Sequence, residues 1–308
     1  MSATINLFRN PDKAEYSTTH PKRLSQDLGR KTFKAGCVLT LVVTMFCLAF
    51  AQGQNGNQNS LSPQTSINPK LPTLFVVGDS TANNHANGAL GWGDPFIEYF
   101  DSAKINVLNR ARAGRSSRTF ITEGLWDKVL AEMKKGDFVI IQFGHNDGGA
   151  INDLSRARGS LPGTGEETQE IDNQVTKQHE IVHTYGWYMR KMIADTKARR
   201  ATPIVMSLTV RNIWKDGRVE RGSGKFGQWA AEVAQAQKVN FIDLTNLIAD
   251  RYEQLGELKV RELFGPDHTH TSSAGAELNA ALVVSGLKAL KAKSFDSFMS
   301  AKGKAVAR

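Results

Sequence analysis

Five short, almost purely apolar runs alternate with longer amphipathic stretches between residues 73 and 291, and no other feature of the chain constrains its fold so strongly. The runs are Thr73 to Gly78 (TLFVVG), Ile105 to Leu108 (INVL), Asp137 to Gly144 (DFVIIQFG), Pro203 to Leu208 (PIVMSL) and Val239 to Leu244 (VNFIDL). A strand covered on both faces shows no polar alternation, so these runs predict buried parallel strands. The amphipathic stretches predict helices near 92–101, 122–135, 174–200, 225–238, 244–255 and 273–291. Strand and helix alternating through one segment give an α/β fold, with a parallel sheet and helices on both faces. Reactive groups in such a sheet gather at the carboxyl ends of the strands, so the residues just after each run are the ones to inspect.

The first 72 residues do not belong to this pattern. Seven Lys/Arg against three Asp/Glu precede or enter a charge-free run from Ala35 to Ala51, which ends Ala49-Phe50-Ala51. A positive n-region, an apolar h-region and an A-x-A site make residues 1–51 a signal peptide, or an N-terminal membrane anchor if uncleaved. Either way the rest of the chain is expected to be exported, to a periplasmic or extracellular location. Residues 52–72, rich in Gln, Asn, Ser and Gly, read as a flexible linker, and 73–308 as the catalytic domain. Both cysteines, Cys37 and Cys47, lie in the apolar run, so the mature chain has no thiol for a disulfide, a nucleophile or a metal. Its formal charge falls from +9 to +5, which suits an acidic glycan without specifying one.

The residues just beyond the runs are chemically pointed. The first run ends in Gly78-Asp79-Ser80-Thr81, which puts the Ser80 hydroxyl at a strand-to-helix junction. Ala82 stands where a G-x-S-x-G elbow needs its second glycine. The second run leads into Ala113-Gly114-Arg115-Ser116-Ser117, whose small residues let backbone N–H groups approach a ligand. The third ends in Gly144-His145-Asn146-Asp147, where an Asn amide can face developing negative charge. Asp267-His268-Thr269-His270 precedes the last helix, with Thr271, Ser272 and Ser273 available to cap it. Asp and His three residues apart can sit side by side, the carboxylate fixing the imidazole tautomer so that the other ring nitrogen takes a serine proton.

Taken together these blocks resemble the SGNH (GDSL-like) hydrolase superfamily, whose Ser, Gly, Asn and His blocks match Ser80, Gly114, Asn146 and His270, with Asp267 completing DxxH. The wording GDST at 78–81, AGRSSRTF at 113–120, FGHNDGG at 143–149 and DHTHTSSAGAE at 267–277 is closer still to the rhamnogalacturonan acetylesterases, carbohydrate esterase family 12. The resemblance covers roughly residues 73–291. It implies a three-layer α/β/α flavodoxin-like sandwich around a five-stranded parallel sheet. It also implies a serine esterase acting on an acetylated polysaccharide, most simply rhamnogalacturonan, without a cofactor or metal and without a nucleic-acid partner. Ser80, Asp267 and His270 are then catalytic, and Ser80, Gly114 and Asn146 form the oxyanion hole. Arg115 and His145 are candidate substrate contacts, and Arg112, Arg115 and Arg118, which flank the oxyanion loop, are candidate contacts for a uronate carboxylate.

Two rivals carry different chemistry. His179-Glu180-Ile181-Val182-His183 matches H-E-x-x-H within the helix expected over 174–200, the pattern of a zinc protease. Met189 stands where a third histidine is required, and the next glutamate after Glu180 is Glu220. A non-catalytic glycan-binding module would use Trp92, Trp187, Trp214 or Trp229 as sugar platforms, but has no need of all four blocks.

Overall fold

In the computed structural model the described residues are 67–222, 224–265, 267–290 and 295–307. The expected signal peptide, both cysteines and most of the expected linker therefore lie outside the described residues. The five apolar runs become β1 (Thr73–Gly78), β2 (Asn106–Asn109), β3 (Phe138–Gln142), β6 (Thr202–Met206) and β9 (Asn240–Ile242), one parallel sheet in the order β2-β1-β3-β6-β9. Successive side chains of a strand point to opposite faces. Leu74 and Val76 accordingly join Phe138, Ile140, Ile204 and Met206 in one core, while Phe75 and Val77 join Val139, Ile141 and Val205 in the other. In the three central strands, β1, β3 and β6, both faces are buried, which is why they read as apolar runs, while the edge strands β2 and β9 are only partly buried.

Helices α1 (Gly93–Phe96), α6 (Leu244–Leu255) and α8 (Ser273–Ala289) cover the first face. Helices α2 (Ser117–Thr122), α3 (Leu125–Glu132), α4 (Tyr185–Ala198) and α5 (Phe226–Ala236) cover the second. This is the three-layer α/β/α sandwich with its five-stranded parallel sheet, and all of these elements lie in the unit Leu61–Arg308. The helix expected over 92–101 is broken into α1 and a 3₁₀ turn, Ile97–Tyr99. That expected over 122–135 is the shorter α3, and an additional helix, α2, precedes it, with Gly124 in the left-handed region between them. Short helices α7 (Glu257–Arg261) and α9 (Ala301–Ala305) complete the set among the described residues. The tail of the expected linker is held to the sheet, with the Asn68 backbone N–H and C=O both bonded to the Asn106 side chain at 3.0 and 2.9 Å.

The helix expected over 174–200 starts eleven residues late, at Tyr185. Its first part is instead β5 (His179–His183), paired antiparallel with β4 (Thr168–Asp172). The signal for the true start is Thr184, an extended N-cap whose hydroxyl accepts from the Trp187 N–H at 3.1 Å. A second, two-residue ribbon joins β7 (Trp214–Lys215) to β8 (Arg218–Val219) after β6.

Candidate functional site

The carboxyl edge of the sheet carries an open cleft of about 730 Å³, lined among others by Ser80, Gly114, His145, Asn146, Arg211 and His270. Ser80 is presented by a tight turn. The buried Asp79 carboxylate accepts from the Thr81 N–H at 2.9 Å and the Thr81 hydroxyl at 2.8 Å, while the Asp79 carbonyl accepts from the N–H groups of Ala82 and Asn83. Gln142, the last residue of β3, holds the same turn from below, accepting from the Trp92 indole at 2.9 Å and donating to the Ser207 carbonyl at 3.1 Å. Gly78 precedes this turn because a Cβ there would come within 2.8 Å of the Gln142 carbonyl oxygen.

His270 arrives from the opposite end of the chain. Its Nε2 lies 2.8 Å from Ser80 Oγ and its Nδ1 2.7 Å from Asp267 Oδ2. Asp267 Oδ1 also accepts from the N–H groups of Thr269 and His270, at 2.7 and 2.8 Å. Burial raises the Asp267 pKa, but these hydrogen bonds outweigh it and hold the carboxyl down at about 2. The loop is pinned where it must be: Thr271 exchanges hydrogen bonds with the Leu90 backbone, and Ser272 caps α8. His268 is exposed, and only its carbonyl is used, accepting from the Asn212 N–H.

Beside the serine, Gly114 adopts φ +79°, a conformation that favours glycine whatever the space around it. Among the described residues nothing accepts from the backbone N–H of Ser80 or of Gly114. The Asn146 amide donates one of its two N–H bonds to the Arg115 carbonyl at 2.9 Å, which leaves the other uncommitted. Asn146 is steadied by its neighbour Asp147, whose buried carboxylate accepts from the Ser117 hydroxyl and N–H and from the Ser160 hydroxyl. Burial dominates those donors and pushes the Asp147 carboxyl up to about 6. His145 is half-buried beside the cleft, 3.1 Å from the Thr209 hydroxyl, and burial lowers its pKa.

The residues matched from 76 to 278 fit the model of the GDSL-like Lipase/Acylhydrolase family. The chain belongs to that family. It is a hydrolase of ester bonds. Among relatives of this GDSL-like acylhydrolase is a rhamnogalacturonan acetylesterase of Emericella nidulans, 33% identical over 70% of this chain and 86% of its own length. Another, the rhamnogalacturonan acetylesterase RhgT of Bacillus subtilis, is 27% identical over 75% of this chain and 96% of its own. The crystal structure of the Bacillus subtilis protein YxiM superposes with a TM-score of 0.56 at 25% identity, over 71% of this chain and 56% of that longer one.

Several expectations need correction for this acylhydrolase. The H-E-x-x-H segment is a strand, so His179 and His183 stand about 13 Å apart along it and Glu180 points to the other face. Each has other company: His183 stacks on Trp187, His179 lies near Asp172, and Glu180 is taken by Arg118. The close approach of two imidazoles that a zinc protease draws from that motif on a helix is absent. Arg118 is no cleft residue; it is fully buried, donating twice to Glu180 at 2.7 Å and to the carbonyls of Ile151 and Gly159 at 2.7 Å. Arg115 does line the cleft but is bound to Glu123 at 2.8 Å, and Arg112 is exposed outside it. None of the five tryptophans lines it. Sequence reasoning passed over Arg158 and Arg211, both in the cleft wall. Arg211 had a usable signal, since it lies just past the end of a predicted strand.

Proposed function

We propose that this chain is a serine esterase that releases acetate from an acetylated plant cell-wall polysaccharide, with rhamnogalacturonan as the substrate of choice. The observation that carries the proposal is the unbroken relay from Asp267 through His270 to Ser80, at 2.7 and 2.8 Å, opening onto a cleft. In the proposed mechanism Ser80 Oγ attacks the acetyl carbonyl carbon as His270 Nε2 takes its proton, and the Asp267 carboxylate stabilises the imidazolium. The tetrahedral oxyanion accepts hydrogen bonds from the N–H groups of Ser80 and Gly114 and from the free N–H of the Asn146 amide. Collapse breaks the bond to the sugar oxygen, which receives the proton from His270, leaving an acetyl-Ser80. Water, deprotonated by the same imidazole, then attacks the acetyl carbon; collapse breaks the bond to Ser80 Oγ, which takes the proton back from His270, and acetate is freed. His270 is 28% exposed, so that water has access.

The names of the Emericella and Bacillus relatives support the choice of acetyl group and glycan. An acetyl group on another glycan is the alternative within the same chemistry. The charge-free run before Gln52 supports action outside the cytoplasm, with membrane attachment only if that run is retained. The test is acetate release by the purified protein from acetylated rhamnogalacturonan, acetylated xylan and a lipid ester, with Ser80→Ala as control. Release from rhamnogalacturonan that disappears in the folded variant is the expected result. Equal activity of the variant overturns the nucleophile, and preference for the lipid ester overturns the substrate.

A further inference from the structure

The cleft carries more guanidinium groups than its own carboxylates can satisfy. Four arginines line it, Arg115, Arg156, Arg158 and Arg211, against two glutamates, Glu123 and Glu180. Both glutamates are already engaged, Glu123 by Arg115 and Glu180 by the buried Arg118. The buried Asp79 and Asp147 offset part of the positive charge, yet neither accepts a hydrogen bond from a cleft arginine; Thr81 occupies one, and Ser117 and Ser160 the other. Arg158 spends one N–H on the Gly114 carbonyl at 3.1 Å. Arg211 is only partly exposed. Its Nε is shut off from solvent and meets no acceptor, and no carboxylate pairs with its guanidinium among the described residues.

An arginine N–H withdrawn from water without an acceptor is a cost the fold does not recover by itself, and a planar fork of donors fits a carboxylate in two parallel bonds. Its place in the fold matters as much. Arg211 follows β6, whereas Gly114 and Arg115 follow β2, and in the sheet order the serine-bearing turn after β1 and the Asn146 loop after β3 lie between them. A glycan chain crossing the strand ends from one rim to the other passes over Ser80 with an unpaired guanidinium beyond it.

We propose that Arg211 is a carboxylate-binding subsite that receives a uronate carboxylate of the substrate chain, with Arg156 and Arg158 supplying the positive field on the far rim. This rests on the glycan esterase reading and adds to it the residue that reads the carboxylates of that glycan. Because that reading has its own test in acetate release, the subsite is tested by inhibition. Hydrolysis of the small neutral ester 4-nitrophenyl acetate by the full chain is measured against increasing oligogalacturonate without acetyl groups, and against the same oligomer with its carboxyls reduced to alcohols.

The acid is expected to inhibit the wild type and the reduced oligomer to do so weakly. Arg211→Gln should raise the inhibition constant of the acid by roughly ten- to hundredfold, the usual range for a charged hydrogen bond, and bring the two oligomers level. Arg211→Lys, which keeps charge but not the fork, should fall between, and guards against a variant that merely fails to fold. The inference is overturned if Arg211→Gln is inhibited as strongly as the wild type, or if the reduced oligomer inhibits the wild type as well as the acid. Failure to release acetate from any glycan would defeat the glycan reading while leaving this inhibition series readable.

Discussion

Replacing Arg118 with methionine should be among the most damaging changes outside the catalytic relay. The guanidinium is completely buried and makes four hydrogen bonds, two to Glu180 and one each to the carbonyls of Ile151 and Gly159. It thereby ties three chain segments, α2, the loop after β3 and strand β5, into one wall of the cleft. Methionine roughly fills the space but leaves a mostly buried carboxylate whose remaining donor is the Asn173 amide at 2.8 Å. Removing one partner of a buried ion pair typically costs about 3–5 kcal/mol. Arg118→Met combined with Glu180→Gln removes the stranded charge, and should recover at least about 1 kcal/mol of that loss. The assays are urea unfolding of wild type, both single variants and the double variant, together with limited proteolysis between residues 148 and 183. Burial raises the Glu180 pKa, but hydrogen bonds from Arg118 and Asn173 pull it below its ordinary 4.5. Stability from the pair is therefore complete above that value and is lost as pH falls through the lower folded one, so the variant and wild type should converge in strong acid. A single-variant loss under about 1 kcal/mol, with no new cleavage in the 148–183 segment, would refute the argument.

Two further perturbations separate the roles of neighbouring groups. Asp267→Asn should keep the fold yet lower turnover by roughly four orders of magnitude, through a wrong tautomer and an unsupported imidazolium. His268→Ala, by contrast, should change turnover little; the reverse ordering in an acetate-release assay would transfer the base role to the wrong histidine. Because the Asp147 carboxyl rises from 3.8 to about 6, the folded state holds that proton more tightly than the unfolded chain, and the associated stability is present below about 4 and lost as pH rises through 6. Asp147→Asn should remove that slope, so the stability difference between wild type and variant should shift by about 2 kcal/mol from pH 4 to pH 7. A difference that does not vary with pH in calorimetric or urea unfolding would mean the carboxyl stays charged.

How far the sequence is legible depends on what determines each element. The five strands are local in cause: each is a short run dominated by apolar side chains, so their number, direction and approximate bounds can be read directly. The Ser80, Gly114, Asn146 and His270 blocks are legible because each is a brief motif tied to the end of one strand or the start of one helix. The β4–β5 hairpin is a different case. His179–His183 is a half-exposed strand with one buried residue, Val182, so its alternation is weak and its helical reading competes well. Pairing with the mostly exposed Thr168–Asp172 strand and the buried grip of Arg118, 62 residues away in sequence, decide the matter. Arg118 misleads for the same reason. An arginine one residue into a helix beside a cleft reads as a substrate contact until its non-local carboxylate is known.

The two halves of the relay are 190 residues apart along the chain, since Ser80 follows the first strand and His270 immediately precedes α8. A growing polypeptide therefore carries an idle hydroxyl through most of its synthesis, and acquires a base for it only when the last segment threads back and Thr271 locks onto Leu90. On the proposed mechanism, ester cleavage in this chain reports that folding has finished, and a product shortened before residue 270 would be silent however well its sheet had formed.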